Sequence, residues 1–126
     1  MTATPDLLPT VDTPFIIGGR EFRSRLLVGT GKYASNAQML TAIEASGAEV
    51  VTVAVRRVDL DRTKDEGILH HLDPHRFMLL ANTAGCYTAD DTIRYARLAR
   101  AAGFNEWVKL EESRGTRESC VADRVV

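Results

Sequence analysis

The segment EWVKLE, residues 106–111, places a lysine and a glutamate where a buried strand is expected. On a strand, Lys109 and Glu111 share one face, with about 7 Å between their Cα atoms. Val108 and Leu110 face the opposite way, toward the helix layer of an α/β protein. An amine beside a carboxylate at such a position suits attack on a carbonyl carbon, with proton exchange between the two groups.

Two interpretations of this pair are open on the residues alone. In the first, burial favours the neutral amine of Lys109, which attacks a ketone, and Glu111 carries protons for imine formation and enolisation. In the second, the pair is a structural ion pair inside a barrel layer. Spacing does not separate the two, because buried charges cluster at functional sites but not only there. A Schiff-base lyase of the aldolase kind also fits the first interpretation.

Four short apolar runs recur at a nearly constant period and predict the elements that position this pair. Their centres lie near Val28, Val53, Leu80 and Val108. Runs that are apolar on both faces are typical of parallel strands covered by helices, and we expect Leu79 on the inner face, away from the helices. Before the first run, FIIGGREF predicts a small hairpin, since a Gly-Gly pair suits the positive φ angles of a tight turn.

The segments between the runs predict helices. Ser35 with Gln38 and Thr88 with Asp91 have the spacing of N-terminal capping pairs, and a glycine ends each helix, at positions 47 and 103. A shorter helix is expected around Ile68 to Leu72, before a proline. The predicted buried faces of the two longer helices consist of Met39, Leu40, Ala42 and Ile43, and of Ile93, Ala96, Leu98 and Ala99.

This β/α alternation predicts an α/β fold, a parallel barrel of the TIM type present as a fragment of about four βα units. We expect three segments: a disordered lead-in at 1–13, the N-terminal half of a (β/α)8 barrel at 14–111, and a disordered tail at 112–126. Function in such folds lies at the carboxyl ends of the strands. The residues found there are Arg56, Arg57, Asn82, Thr83, Cys86, Lys109 and Glu111.

Composition narrows the functional classes. The chain has 126 residues, 44% of them apolar, and a formal net charge of -1, which gives no basic field for nucleic acid. It has no apolar run long enough for a bilayer and no secretory pattern at its start. Two scattered cysteines fit a reducing compartment, so a cytoplasmic location is expected.

Several residues that resemble binding motifs are better explained by structure. The histidines His70, His71 and His75 are predicted to lie on the surface, and no metal site or cofactor is expected. The segment GTGK, residues 29–32, lacks the full phosphate-loop pattern and predicts a tight strand-to-helix turn. Cys86, just before a helix, is interpreted as a small buried residue.

The chain from about residue 15 to 111 resembles the bacterial thiazole synthases of thiamin biosynthesis. The resemblance rests on FRSRLLVGTGKY, EVVTVAVRRV, LLANTAGCYTADDTIRYARLAR and WVKLE, in order and at matching spacing. It implies a (β/α)8 barrel enzyme, a transferase, that joins 1-deoxy-D-xylulose 5-phosphate, dehydroglycine and sulfur from the thiocarboxylate of a carrier protein. The family's Schiff-base lysine aligns with Lys109, and the glutamate of its acid–base steps aligns with Glu111.

The same resemblance implies further partners and binding residues. The expected partners are the sugar phosphate, the thiocarboxylated sulfur-carrier protein, a dehydroglycine-forming enzyme and further copies of the chain, without nucleic acid or membrane. We expect Arg56, Asn82 and Thr83 to contribute to substrate binding.

The tail ESRGTRESCVADRVV differs from the family's continuation and predicts no next strand. One choice of codons, read in a shifted frame from Glu112, restores a family-like sequence, so the alternative is a truncated or frameshifted, non-catalytic remnant. Resequencing the locus tests this hypothesis. On this interpretation the isolated chain is expected to aggregate or stay molten and to make no thiazole phosphate, since half a barrel leaves two unpaired edges.

Overall fold

The computed structural model describes residues 13–114 and 118–121. Along this part of the chain, strands and helices alternate after an initial hairpin. The elements are β1 (Phe15–Ile17), β2 (Arg20–Phe22), β3 (Leu27–Gly29), α1 (Asn36–Ser46), β4 (Val50–Ala54), α2 (Ile68–His71), β5 (Met78–Asn82), α3 (Ala89–Ala101), β6 (Val108–Lys109), β7 (Glu111–Arg114) and β8 (Glu118–Val121).

The central element is a four-stranded parallel sheet in the order β3-β4-β5-β6. The prediction of four parallel strands that follow one another along the chain is therefore confirmed. The described residues do not form a closed barrel. β1 and β2 form a separate antiparallel hairpin whose turn glycines, Gly18 and Gly19, have φ angles of 55° and 78°. These left-handed angles explain why the turn uses a Gly-Gly pair. In the described part of the chain, no helix is long and apolar enough to cross a membrane.

The helix boundaries follow the predicted caps. The Ser35 hydroxyl accepts a hydrogen bond from the Gln38 amide at 3.1 Å, and the Thr88 hydroxyl accepts one from the Asp91 amide at 3.1 Å. Gly47 ends α1 with a φ of 69°. α2 begins at Ile68, as predicted, and is one residue shorter than expected.

The predicted buried face of α3 is partly wrong. Ile93 and Leu98 are 48% and 44% exposed, whereas Thr92 and Ala99 are buried and Tyr95 is partly buried. The side of α3 that faces the core therefore carries Thr92, Tyr95 and Ala99. In α1, Met39 and Ile43 are buried as predicted, whereas Ala42 is exposed.

The apolar core has two parts, one on each face of the sheet. The outer part lies between the sheet and the three helices and includes Val51, Val53 and Leu79. The inner part lies on the other face, where Val50, Met78 and Leu80 pack with Phe22, and where the partly buried Phe15 and Trp107 pack against them. The hairpin thus covers the amino-terminal part of the inner face.

Leu79 corrects one expectation about the sheet. Residue 79 was predicted on the inner face, but it pairs in register with Val51 and belongs to the outer core. Because side chains alternate along a strand, the inner face takes Leu80 instead.

The prediction that no strand follows Glu111 is also wrong. β7 pairs antiparallel with β8, from Glu111 opposite Val121 to Arg114 opposite Glu118. The pairing is between backbone groups, which need no apolar period in the sequence. The other parts of the predicted tail and residues 1–12 of the predicted lead-in lie outside the described residues.

Candidate active site

Lys109 and Glu111 lie together at the carboxyl end of the sheet. The Lys109 Nζ atom is 2.9 Å from the Glu111 Oε1 atom. Lys109 pairs in register with Asn82 of β5, which in turn pairs with Ala54 of β4. Val108 and Leu110 line a groove against α3, so the lysine and the glutamate face the side of the sheet opposite the helices. The structure thus gives the shared face and rim that the sequence predicted.

The burial expected for this pair is not found. The side chains of Lys109 and Glu111 are 44% and 21% exposed, because the inner apolar cluster ends at the level of Leu80 and Trp107. An ion pair at this exposure contributes little to folding stability, because water screens it. The contact places an amine next to a carboxylate, a group that can accept a proton.

Thr83 fixes the backbone that carries the pair. Its side chain is fully buried, and its hydroxyl donates a hydrogen bond to the Glu111 carbonyl oxygen and accepts one from the Glu111 amide, each at 2.8 Å. Its own amide donates to the Lys109 carbonyl oxygen at 3.3 Å. The hydroxyl and the amide of Thr83 are thus paired inside the protein, and its part in substrate binding stays a prediction.

The other two predicted binding residues lie on the same rim. The side-chain oxygen of Asn82 accepts a hydrogen bond from the Ala84 amide at 3.2 Å, which leaves its NH₂ group for other partners. Arg56 is exposed and lies over Gly85, whose added Cβ would be 3.4 Å from the Arg56 guanidinium. Arg57 lines a different cleft, formed by the loop that leads to α2.

Cys86, in the loop between β5 and α3, is fully buried, and burial raises the pKa of its thiol, with a smaller opposing effect from Arg56. The interpretation of Cys86 as a small buried residue is confirmed.

The remaining candidates are tied to loop structure. His70 and His71 contact the backbone oxygens of Arg62 and Asp65, and the part of the chain that the structure describes contains no cluster of residues fit to hold a metal ion. In the β3–α1 turn, Lys32 has a left-handed φ of 68°, as a tight turn requires.

A sequence model of the family described as "Thiazole biosynthesis protein ThiG" matches residues 16–122. The chain belongs to the ThiG family. The thiazole synthase of Geobacter metallireducens is 59% identical over 104 residues, which cover 82% of this chain and 40% of that protein. The thiazole synthase of Geotalea uraniireducens is 62% identical over 96 residues, covering 76% and 37%. This ThiG-family chain therefore spans about two fifths of the length of these curated relatives.

Among solved structures, this chain is similar to a chain in the crystal structure of the Amycolatopsis orientalis BexX/CysO complex. The match has a TM-score of 0.61 and 30% sequence identity, and it covers 82% of this chain and 43% of the matched chain.

Sequence reasoning missed the structural role of Thr83. The register between β5 and β6, in which Asn82 lies opposite Lys109, would have indicated this role, because it places residue 83 beside the segment that joins Lys109 to Glu111.

Proposed function

We propose that this chain carries the imine-forming centre of a thiazole synthase. The observation that carries the proposal is the 2.9 Å contact between Lys109 Nζ and Glu111 Oε1, on the helix-free face at the carboxyl ends of parallel strands. Membership of the ThiG family supports thiazole formation as the reaction. The substrates proposed are 1-deoxy-D-xylulose 5-phosphate, dehydroglycine and a carrier-bound thiocarboxylate.

Each group of the pair has a defined task in imine formation. The Glu111 carboxylate takes a proton from the Lys109 ammonium, and the neutral amine attacks the ketone carbon of the sugar. Glu111 then returns the proton to the carbinolamine hydroxyl, which leaves as water and gives the iminium. The carboxylate, once more free, is placed to remove a proton from the carbon beside the iminium.

The neighbouring residues suit an anionic substrate. Arg56 offers an exposed guanidinium and Asn82 an amide NH₂ on the rim that carries the lysine. We propose that these two groups orient the substrate, because a guanidinium pairs well with carboxylate and phosphate oxygens.

A protein carrier is the proposed source of sulfur. The similar solved structure is that of a BexX/CysO complex, so a chain of similar fold occurs there in a structure of a complex. By analogy, the rim at Lys109 is the surface to which the thiocarboxylate end of a carrier would be delivered. The dehydroglycine-forming enzyme and self-association remain parts of the same proposal.

Borohydride trapping tests the lysine assignment directly. The chain is incubated with 1-deoxy-D-xylulose 5-phosphate and sodium borohydride, which reduces an imine to a stable secondary amine, and peptides are mapped by mass spectrometry. We expect the adduct on Lys109, and its loss in Lys109→Ala. The matched control is Lys64→Ala, which removes a lysine that is paired with Asp59 on a distant loop and should leave the adduct intact. An adduct on Lys32 or Lys64 in place of Lys109 would contradict the proposal.

The alternative of a non-catalytic remnant gains no support over this function from the relatives. The aldolase-like alternative predicts retro-aldol cleavage of the sugar phosphate after imine formation. Product analysis of the same incubation without borohydride would reveal it.

A further inference from the structure

The chain runs past Lys109, the last residue of β6, to Glu111, the first residue of β7, beyond the point where β5 ends. β5 stops at Asn82, and the chain then turns away through Gly85, whose φ is 87°. Residue 111 therefore has no strand partner in β5 to fix its path, although β7 pairs with β8 from Glu111 onward. Glu111 nevertheless has both its amide and its carbonyl paired at 2.8 Å, by the hydroxyl of Thr83.

We infer that the Thr83 hydroxyl is a positioning group that sets the orientation of Glu111 against Lys109. The inference rests on the proposed function. One side-chain oxygen takes the place of a neighbouring strand's amide and carbonyl, and the Thr83 amide holds the Lys109 carbonyl at 3.3 Å. Threonine therefore controls the backbone on both sides of Leu110, which determines whether the two side chains point the same way.

The side-chain environment favours this role over a general effect on the core. Thr83 is fully buried, and Glu111 is only 21% exposed, so water does not readily replace the hydroxyl as a partner. The Lys109 amine, by contrast, is held by a flexible side chain and makes its ion pair only if the Glu111 backbone stays in place. A shift of about 1 Å in a reacting group is known to cost roughly a hundredfold in rate.

The chain supplies a matched control in Thr92. This residue is also buried, and its hydroxyl donates one hydrogen bond to the Thr88 carbonyl oxygen at 3.0 Å, within α3. Thr92 lines the groove that Val108 and Leu110 also line, and its hydrogen bond goes to α3 rather than to the backbone of residues 109–111, so Thr92→Val removes a nearby buried hydroxyl that does not hold that backbone.

The test compares variants of the full chain in the trapping reaction with 1-deoxy-D-xylulose 5-phosphate. We expect Thr83→Val to lower the maximum trapping rate about 10- to 100-fold, with little change in the half-saturating sugar concentration. Thr83→Ser, which keeps the hydroxyl, should restore the rate to within about threefold, whereas Thr83→Ala should not. Thr92→Val should trap at the wild-type rate.

The outcomes separate the two proposals. Failure of the wild-type chain to trap the sugar at Lys109 refutes the imine-forming function. If wild type, Thr83→Val and Thr83→Ala all trap the sugar at the same rate, the positioning role is refuted and the imine-forming function stands. Circular dichroism checks the fold of each variant, and the Ser/Ala pair decides the matter if the valine side chain does not fit. Loss of the fold in both the Val and Ala variants would also overturn the inference, because the hydroxyl would then hold the fold and not the pair.

Discussion

Glu111 has two separable properties, a backbone held by Thr83 and a carboxylate held near Lys109. Substitution of the carboxylate alone tests the second property. We expect Glu111→Gln to keep the backbone bonds and to lower the trapping rate at Lys109 by about 100-fold, which is at the low end of what a positioned acid–base group contributes. The measurement is the time course of borohydride trapping by mass spectrometry. The matched control, Glu106→Gln, changes an exposed glutamate before β6 and should trap normally; equal rates for both variants would remove Glu111 from the mechanism.

Cys86 predicts a pH effect on stability. Burial raises the pKa of its thiol, so the folded chain keeps this proton to a higher pH than the unfolded chain. The stability from the neutral buried thiol is therefore complete below about pH 8.5, where a free thiol titrates, and it is lost as pH rises through the folded value. We expect wild type to lose more stability than Cys86→Ala between pH 7 and pH 10 in urea titrations. Parallel losses in the two proteins would show that Cys86 does not contribute.

The residue-level predictions from sequence succeeded where spacing alone decides geometry. Lys109 and Glu111 share a face because they are two apart in an extended segment, which the spacing alone predicts. Their exposure and the role of Thr83 depend on groups that are distant in sequence, 28 residues away in the case of Thr83 and Glu111. Such partners follow from strand register, which a local pattern does not specify.

At the scale of elements, helix ends were more predictable than helix faces. A cap is a contact between residues three apart, so Ser35 and Thr88 could be identified from sequence. The buried face of α3 was misassigned, because Ile93 and Leu98 have the apolar character of core residues but lie beside the contact with the sheet.

The α1 cap gives an element-scale prediction. Ser35→Ala removes the acceptor for the Gln38 amide and should lower the free energy of unfolding by about 1 kcal/mol. Ser35→Asp keeps an acceptor at that position and should restore most of the loss. Thermal or urea denaturation followed by circular dichroism measures both. A destabilised aspartate variant would indicate that the serine acts through something other than its hydrogen bond.

At the scale of the whole molecule, the hairpin and the sheet depend on each other through aromatic packing. Phe22 is 4% exposed, and its ring centroid lies 5.8 Å from that of Trp107, in an edge-on arrangement. The alternation of strands and helices predicted the parallel sheet correctly. The docking of the hairpin onto the inner face was not predicted, because nothing in its short apolar pattern states which surface it covers.

Phe22→Ala should weaken the packing of the hairpin on the inner face of the sheet. We expect a loss of about 3 kcal/mol in the free energy of unfolding, from a cavity in the inner core, together with a red shift in the fluorescence of Trp107, the single tryptophan of the chain. Phe15→Leu, at a partly buried position in the same cluster, is the milder comparison. Unchanged emission in Phe22→Ala would mean that the two rings are not packed in solution.

The two ends of the inner face of the sheet thus differ in which amino acids they can accept. Near its amino end, the inner face packs against the hairpin through apolar side chains, which need only suitable volume; these are Phe22, Val50 and Met78. At the other end, Lys109, Glu111 and Thr83 need particular functional groups at particular distances. A deep mutational scan scored separately for abundance and for imine trapping should therefore split along the strands. Substitutions at the hairpin end would affect both scores together, and those at the lysine end would affect trapping alone. Stabilising changes can then be introduced at the hairpin without retuning the chemistry.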